Sequence, residues 1–218
     1  MRRVVGKNVV EFSAEQFDEM LDEHTAGVVL DVGAGNAKHA YHIARAEPDK
    51  LVIALDAAKD NMQKVAGKTK VSPAKGGAPN LLCVWASAEK PPSEIHGVTE
   101  LHSLMPWGSL LRGMLGSDTD MLLGLAKLCV PGAEFLVTLN LHAWRPPVPE
   151  VGEHPEPTPD SAMEQLAPYY AEGGWTLDAA RYFGAEELNA LATSWTKRLG
   201  STRDELDVLG LTGVIGKA

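Results

Sequence analysis

Cysteine is scarce in this sequence of 218 residues, which contains only Cys83 and Cys129. Both lie in apolar stretches and form no CxxC pair, so the pattern predicts buried free thiols, with neither a disulfide framework nor a zinc site. The histidines also lack paired ligand spacing with acids. We expect no metal, and core or surface roles, for His39, His42, His102, His142 and His154. Free thiols are typical of a reducing compartment, so we expect a cytoplasmic protein.

An apolar run long enough to span a membrane is also absent. The opening MRRVVGKNVVEF begins with arginines but then alternates, and it offers no apolar core of a signal peptide. We therefore expect neither secretion nor a membrane partner. With 44% hydrophobic residues, the chain is long enough to bury the core of one α/β domain. We predict a single domain over residues 1–218, which acts as a monomer.

An overall excess of basic charge is missing too, because the net charge is −9. This argues against a general nucleic-acid binder, yet the charge is unevenly distributed. Within one stretch, only Asp60 opposes a group of lysines: Lys59, Lys64, Lys68, Lys70 and Lys75. The stretch has two interpretations, which are a local face that binds RNA and a solvated helix surface.

Alternating strand and helix patterns predict an α/β fold. Residues 1–12 predict a β-hairpin, and Ser13 with Gln16 predicts the capping box of a helix that ends near His24. Apolar runs predict further strands near 27–33, 50–56, 80–87, 98–105, 131–141, 174–183 and 206–216, and helices at 38–46, 60–70, 118–128 and 185–191. Residues 142–161 predict a proline-rich loop, and residues 184–205 a linker between the last two strands. The order is typical of a doubly wound, mostly parallel sheet.

The segment VVLDVGAGNAKH, residues 28–39, indicates a nucleotide-binding turn. An apolar strand runs into Gly33 and Gly35 and then a helix, so the backbone can approach a ligand closely. Asp56 ends the next strand, about 20 residues further on, where a carboxylate accepts ribose hydroxyls. The alternative is a tight strand–helix turn with a surface aspartate. Together, the strand, glycines, helix and acid favour a site for an adenosine-containing cofactor.

The same turn favours S-adenosylmethionine over a dinucleotide. A dinucleotide site prefers a third glycine where this chain has Lys38. Asp31 precedes the turn, and a carboxylate there suits a cationic ligand better than a pyrophosphate. Ala88 and Glu89 follow the next strand and are placed to flank an adenine. Taken alone, these two residues favour the other interpretation, an ordinary strand end followed by an acid that starts a helix.

Several longer motifs are more specific. MPWGS at 105–109, PAKGG at 73–77, NLHAWRPPVPEVGEHPEPTPDS at 140–161 and TSWTKRL at 193–199 are the clearest of them. They resemble the aminoglycoside-resistance 16S rRNA methyltransferases of the Kam and Npm type, which modify N1 of adenosine 1408, and above all the actinobacterial Kam branch. The resemblance runs nearly from end to end of the chain.

The resemblance implies a class I, Rossmann-like methyltransferase with a mostly parallel, seven-stranded sheet and an antiparallel closing strand. It implies S-adenosyl-L-methionine as cofactor, S-adenosylhomocysteine as product, and 16S rRNA in the 30S ribosomal subunit as substrate. The implied cofactor pocket comprises, with the glycine turn, Asp31, Gly33, Asp56, Ala88, Glu89, Leu104, Ser109 and Thr193. The resemblance implies that two residues hold the target base, Trp107 and Trp195. It implies that six basic residues contact RNA: Lys64, Lys68, Lys70, Lys75, Arg198 and Arg203.

Methylation at N1 also agrees with what the sequence lacks. An extruded base loses its stacking, which aromatic rings replace at about 1–3 kcal/mol per base. Neutral adenine has a lone pair on N1, so no general base is needed. The Asn/Asp-Pro-Pro-Tyr motif of amine methylation is missing, and residues 104–107 read Leu-Met-Pro-Trp instead. The other interpretation of each tryptophan is that it only packs under a loop.

The sequence departs from the family pattern in two places. The usual GTGDGK is here GAGNAK, with Ala34, Asn36 and Ala37 in place of Thr, Asp and Gly, which bears on cofactor affinity. Glu205 stands where related sequences often carry a basic residue, which bears on RNA affinity. The alternatives are therefore a small-molecule methyltransferase and an rRNA-binding homologue with weak or no catalysis.

Overall fold

The computed structural model describes residues 1–144, 151, 154–191 and 208–216. In this part of the chain the strands form one nine-stranded sheet in the order β2-β1-β5-β4-β3-β6-β7-β9-β8. They are β1 (Arg2–Val5), β2 (Asn8–Glu11), β3 (Val28–Val32), β4 (Leu51–Asp56), β5 (Leu81–Trp85), β6 (Val98–Leu104), β7 (Cys129–Asn140), β8 (Trp175–Tyr182) and β9 (Val208–Ile215).

The α-helices are α1 (Ala14–Glu23), α2 (Lys38–Ala46), α3 (Lys59–Ala66), α4 (Gly108–Arg112), α5 (Thr119–Ala126), α6 (Pro159–Glu172) and α7 (Ala185–Ala190). Short 3₁₀ turns follow at Gly67–Lys70, Pro73–Lys75 and Leu141–Trp144, and a π-helical turn at Gly113–Ser117. Helix α1 begins with the predicted capping box, in which Ser13 and Gln16 bond reciprocally. Among the described helices, none has both the length and the apolar character needed to cross a membrane.

The sheet is parallel in its centre and antiparallel at its ends. Strands β5, β4, β3, β6 and β7 run parallel, whereas β9 is antiparallel to both β7 and β8. The predicted mostly parallel α/β sheet with an antiparallel closing strand is therefore confirmed. The N-terminal hairpin also forms, but it extends the sheet, because β1 pairs with β5 through Arg3↔Val84 and Val4↔Cys83.

Apolar layers cover both faces of the central strands. On one face, buried residues of α2 and α3, such as Ala40 and Met62, pack against Val29 and Val52. On the other, Phe17 of α1 and the buried side chains of α5 and α6 join the larger cluster. Strands covered on both sides are expected to be apolar throughout, and β3 is buried at all its positions.

Two helices were not predicted from the sequence. Helix α4 begins at Gly108, the last residue of Pro106-Trp107-Gly108, a sequence typical of a turn, and Gly108 has a φ of 60°. Helix α6 begins at Pro159, inside the segment 142–161 that was predicted to be a loop, and continues through Pro168 to Glu172. Thr158 caps it, and its buried residues Ala162, Leu166 and Tyr170 are spaced by four. The density of proline concealed this helical periodicity.

Candidate active site

One pocket of about 310 Å³ lies at the carboxyl ends of β3, β4, β5 and β6. Ligands of open parallel sheets bind at this edge. The predicted residues that line the pocket are Asp31, Gly33, Gly35, Asp56, Ala88, Glu89, Leu104, Trp107 and Ser109. Thr193, Trp195, Arg198, Arg203 and Glu205 lie outside the described residues. The structure thus brings together residues that are up to about 80 positions apart in sequence.

The glycine turn after β3 adopts a conformation that side chains disfavour. Gly33 and Gly35 have φ values of 72° and 55°, in the left-handed region. A Cβ on Gly33 would lie 2.5 Å from Cδ2 of Leu110, which lines the same pocket. Glycine is therefore favoured at position 33 for its backbone conformation, and a side chain there would also displace the Leu110 methyl group.

Asp31 is a buried acid whose side chain faces the pocket. It is 2% exposed, and its Oδ2 has no hydrogen-bond partner among the described residues. Burial raises the pKa of the Asp31 carboxyl from 3.8 to about 7. A buried carboxylate without a counter-charge is costly, and a cationic ligand would supply one. This orphaned oxygen therefore fits the positively charged end of S-adenosylmethionine.

Asp56 ties the two neighbouring strand ends together. Its Oδ2 accepts a hydrogen bond of 2.7 Å from the Gly35 amide, and its Oδ1 accepts one of 2.7 Å from the Ala58 amide. Burial raises the pKa of Asp56, and the two amide hydrogen bonds oppose that shift. Each carboxylate oxygen has a second lone pair, so Asp56 can also accept from a ligand. Its position agrees with the predicted ribose site.

The predicted adenine end lies after β5. Ala86 and Ala88 are buried apolar side chains of the pocket wall. Ser109, on α4, donates its hydroxyl hydrogen bond to Glu89, and this bond lowers the pKa of the Glu89 carboxyl. The contact joins the β5 and β6 sides of the pocket. Because its pKa is lowered, the Glu89 carboxyl is ionised at neutral pH.

The turn after β6 presents Trp107 at the pocket. Met105 has a φ of 51°, which is unusual for a residue other than glycine. Its amide donates to the backbone oxygen of Thr138 at 2.9 Å and to the Thr138 hydroxyl at 3.0 Å. These bonds to β7 hold the strained turn. Trp107 lines the pocket and is 40% exposed, so its ring is accessible from solvent.

A half-buried histidine pair lies beside the pocket and was not predicted from the sequence. His39 Nε2 is 3.0 Å from His102 Nδ1, and His39 Nδ1 donates to the Leu191 carbonyl at 2.7 Å. Burial lowers the pKa of His39 to about 4 and that of His102 to about 3, so both are neutral at physiological pH. The pair joins α2, β6 and the end of α7. Sequence spacing gave no signal for it, because its members are 63 residues apart.

The family departure at GAGNAK is accommodated by the backbone. Ala37 has a φ of 56°, a conformation that glycine adopts freely. Its side chain is fully buried in the cluster with Ala40 and Ala44, and it does not line the pocket. Asn36 does line the pocket, and its Oδ1 accepts from the Lys38 amide at 3.2 Å.

We therefore expect Asn36 and Ala37, two residues of this departure, to have separate effects. Asn36→Asp should tighten S-adenosylmethionine binding about two- to fivefold, because a partly exposed carboxylate attracts the cationic cofactor. Ala37→Gly should leave affinity unchanged, since it relieves the same strain in the free and bound states. Calorimetry on the two single variants measures this. If both variants bound S-adenosylmethionine with wild-type affinity, the departure at Asn36 and Ala37 would be neutral for cofactor binding.

The predicted RNA-contacting lysines occupy one segment next to the sheet. Lys64 lies in the last turn of α3, Lys68 and Lys70 in the turn Gly67–Lys70, and Lys75 in the turn Pro73–Lys75. Lys68 is half-buried and the others are exposed. As far as the structure describes the chain, none of the four forms an ion pair with an acid. Their charges are available to a phosphate backbone.

The sheet topology, the glycine turn, the orphaned Asp31 carboxylate and the spaced Asp56 define a class I S-adenosylmethionine-dependent methyltransferase. The model of the 16S rRNA (adenine(1408)-N(1))-methyltransferase family matches residues 2–214. A protein of that name from Streptoalloteichus tenebrarius is 61% identical over 99% of both chains. The crystal structure of the 16S rRNA methyltransferase KamB superposes with a TM-score of 0.93 at 61% identity, over 99% of both chains.

A further structure, a tryptophan variant of the 16S rRNA (adenine(1408)-N(1))-methyltransferase from Catenulisporales acidiphilia, contains the cosubstrate SAM. It is 32% identical over 99% of this chain and 96% of that one, with a TM-score of 0.88. This chain belongs to the 16S rRNA (adenine(1408)-N(1))-methyltransferase family. The cosubstrate in that neighbour is the cofactor that the resemblance implied for this chain.

Replacing Asp56 tests the ribose site. We expect Asp56→Ala to weaken S-adenosylmethionine binding by about 1.5–3 kcal/mol, the scale of lost charge-assisted hydrogen bonds. Calorimetry measures the affinity for S-adenosylmethionine. Thermal unfolding measures how far the loss of the hydrogen bonds to Gly35 and Ala58 destabilises the protein itself. Asp60→Ala, an exposed acid of α3, is the matched control. Unchanged affinity in a folded Asp56→Ala protein would remove Asp56 from the site.

Proposed function

We propose that this protein methylates N1 of adenosine 1408 within the assembled 30S subunit, and thereby confers aminoglycoside resistance, with Asp31, Asp56 and Trp107 in direct contact with cofactor or base. Family membership supports the reaction. The observation that carries the site assignment is one pocket that has an orphaned buried carboxylate at its base and an accessible indole at its rim. This combination suits a cationic methyl donor beneath an extruded base.

The chemistry asks little of the protein beyond positioning. The N1 lone pair of adenine attacks the methyl carbon, a carbon–nitrogen bond forms, and the carbon–sulfur bond electrons return to sulfur. S-adenosylhomocysteine leaves and the base becomes cationic. No proton is removed, so no general base is required, and alignment of N1 with the methyl group supplies most of the rate.

The base is held by stacking in this proposal. Trp107 offers one ring face at the pocket rim, and Trp195, implied by the resemblance, offers the second. Extrusion costs stacking within the RNA, and the two indoles replace it. Indole faces also favour the positive charge that develops on the methylated ring.

Docking on RNA is assigned to the lysines of the segment 64–75, with Arg198 and Arg203. A protein of net charge −9 has little nonspecific attraction to RNA, so recognition relies on shape and a local basic face. We propose that the protein binds as a monomer in the cytoplasm, where assembled subunits are found. Free nucleotides and naked 16S rRNA are then poor substrates.

Primer extension tests the function directly. Purified 30S subunits incubated with the protein and S-adenosylmethionine should give a cofactor-dependent stop at adenosine 1408, and naked 16S rRNA should not. Expression in a sensitive bacterium should raise its resistance to aminoglycosides. Cofactor binding without any stop would favour a non-catalytic rRNA-binding homologue. Equal methylation of naked rRNA would contradict the 30S requirement.

Charge reversal tests the docking face. We expect Lys68→Glu combined with Lys70→Glu to weaken 30S binding at least tenfold, because two phosphate contacts become repulsions. Cofactor affinity should stay unchanged, since neither lysine lines the pocket. Competition binding to 30S subunits and calorimetry give the two affinities. Lys127→Glu, a single charge reversal at an exposed position on the opposite face of the sheet, serves as the control for charge reversal away from the docking face. Wild-type 30S affinity in the double variant would contradict the assignment.

A further inference from the structure

The lysine segment is tied to α2 by two side chains that no part of the reaction accounts for. Arg45 Nη1 donates to the Pro73 carbonyl at 2.7 Å and to the Gly77 carbonyl at 2.8 Å. Tyr41 Oη donates to the Gly76 carbonyl at 2.8 Å. Arg45 and Tyr41 are four residues apart, so they lie on the same face of α2. Three carbonyls of one short turn are thus bound by one helix face.

The turn itself is closely folded. The amides of Lys75 and Gly77 both donate to the Ser72 carbonyl, at 2.9 and 3.0 Å. Gly76 has a φ of 76°, and a Cβ on Gly77 would lie 1.6 Å from the Val71 carbonyl oxygen. Glycine is therefore obligatory at position 77, where the chain crosses its own backbone. The turn is therefore compact, and the bonds from α2 add to those that it makes within itself.

The two ends of the segment are fixed as well. The Ala78 amide donates to the Lys68 carbonyl at 3.1 Å, so the exit of the turn is bonded to the residue that carries one of the lysines. Beyond it, Asn80 Nδ2 donates to the carbonyls of Ala44, Glu47 and Lys50, at 3.0, 3.2 and 2.9 Å. Asn80 thus anchors the chain at the carboxyl end of α2, where helix carbonyls lack partners.

We propose that Arg45 and Tyr41 are positioning residues for rRNA binding, which hold the segment 67–77 in the conformation that presents its lysines to the phosphate backbone. This inference rests on the proposed docking face. Helix α2 begins directly after the glycine turn of the cofactor pocket, so the helix fixes the lysines relative to the cofactor. Because a pre-ordered surface loses less entropy on binding, the tie raises affinity without touching RNA.

A direct phosphate contact from Arg45 is the competing explanation, because Arg45 is exposed. The two explanations differ in their salt dependence. Loss of a phosphate contact reduces the slope of log affinity against log salt by about one. Loss of pre-order weakens binding and leaves the slope unchanged. Tyr41→Phe removes one hydrogen bond and no charge, so it isolates the positioning effect.

The experiment measures 30S affinity at several salt concentrations, with S-adenosylhomocysteine present, for Tyr41→Phe, Arg45→Gln and Arg45→Lys. We expect each to bind about three- to tenfold more weakly with the wild-type salt slope, with unchanged kcat and cofactor affinity. Arg45→Lys should not restore affinity, because one ammonium on a shorter side chain cannot reproduce both bonds. Tyr182→Phe, which removes the hydroxyl of an exposed tyrosine on β8, is the matched control for Tyr41→Phe.

Three results would overturn the inference. They are wild-type affinity in Tyr41→Phe, a reduced slope in Arg45→Gln with rescue by Arg45→Lys, and a lowered melting temperature without a change in 30S affinity. If the Arg45 variants fail to fold, the 30S affinity of Tyr41→Phe alone tests the inference. The protein with Lys68→Glu and Lys70→Glu distinguishes a failure of the proposed docking face from a failure of the positioning role. Normal 30S binding by that protein would remove the docking face itself, whereas impaired binding with normal Tyr41 and Arg45 variants would remove only the positioning role.

Discussion

Asp31→Asn is expected to weaken S-adenosylmethionine binding about 10- to 150-fold, the scale of a lost charge-assisted interaction. The carboxylate is buried and its Oδ2 has no partner among the described residues, so the cationic cofactor supplies its counter-charge. Asparagine keeps the size of the side chain but cannot neutralise the ligand. Calorimetry on the variant measures the loss. Asp178→Asn, an exposed acid on β8, is the matched control.

The same carboxylate makes binding depend on pH. The Asp31 pKa in the free protein is about 7, raised by burial, and the cation favours the ionised form. As pH falls below 7, more of the free protein holds a protonated Asp31, so affinity falls. Between pH 7.5 and 6 the loss should be roughly eightfold. His39 does not titrate in this window, because its pKa is lowered to about 4.

Stability responds to pH in the opposite sense. The folded pKa of Asp31 lies above its ordinary value of 3.8, so the folded state binds more protons and stability is lost as pH rises from about 4 through 7. Asp31→Asn removes this dependence, so the variant should melt above the wild type near pH 8. A cofactor affinity that still falls below pH 7 in Asp31→Asn would assign the titration to another group.

Part of the site was predictable because some of the pocket residues are marked by a local pattern. Asp31, Gly33 and Asp56 stand at the ends of apolar strands, and parallel strand ends meet at one sheet edge. The direction of the Asp31 and Asp56 side chains follows from strand periodicity. What the sequence does not contain is how far each group is desolvated. The orphaned Oδ2 of Asp31 and its raised pKa follow from three-dimensional packing.

The missed features depend on contacts distant in sequence. The His39–His102 pair needs α2 packed beside β6, and neither histidine has a neighbour in sequence that marks it. The bonds from Arg45 to the turn at Pro73 and Gly77 span about 30 residues and involve only carbonyl acceptors, which every residue has. Helix α6 was missed for a local reason, since Pro168 is typical of a helix end and here lies within the helix.

Replacing Trp107 is expected to reduce methylation more than binding. Trp107→Ala removes about 1–3 kcal/mol of stacking, which predicts a 5- to 150-fold fall in turnover. Docking on the 30S subunit is spread over the lysines and should change little. Trp107→Phe should retain more activity, because it keeps a ring face. Trp195→Ala should behave in the same way, since Trp195 is the proposed second face.

Three measurements on the same variants separate base stacking from a packing role: methylation, 30S affinity and melting temperature. A packing role predicts a lower melting temperature and weaker binding of cofactor and 30S alike. Tyr182→Ala, which removes a 52% exposed aromatic ring on β8, controls for loss of surface aromatic area. The double tryptophan variant should lose no more than about the sum of the single losses, because one remaining indole cannot sandwich the base. Full methylation by a well-folded Trp107→Ala protein would exclude this ring from base stacking.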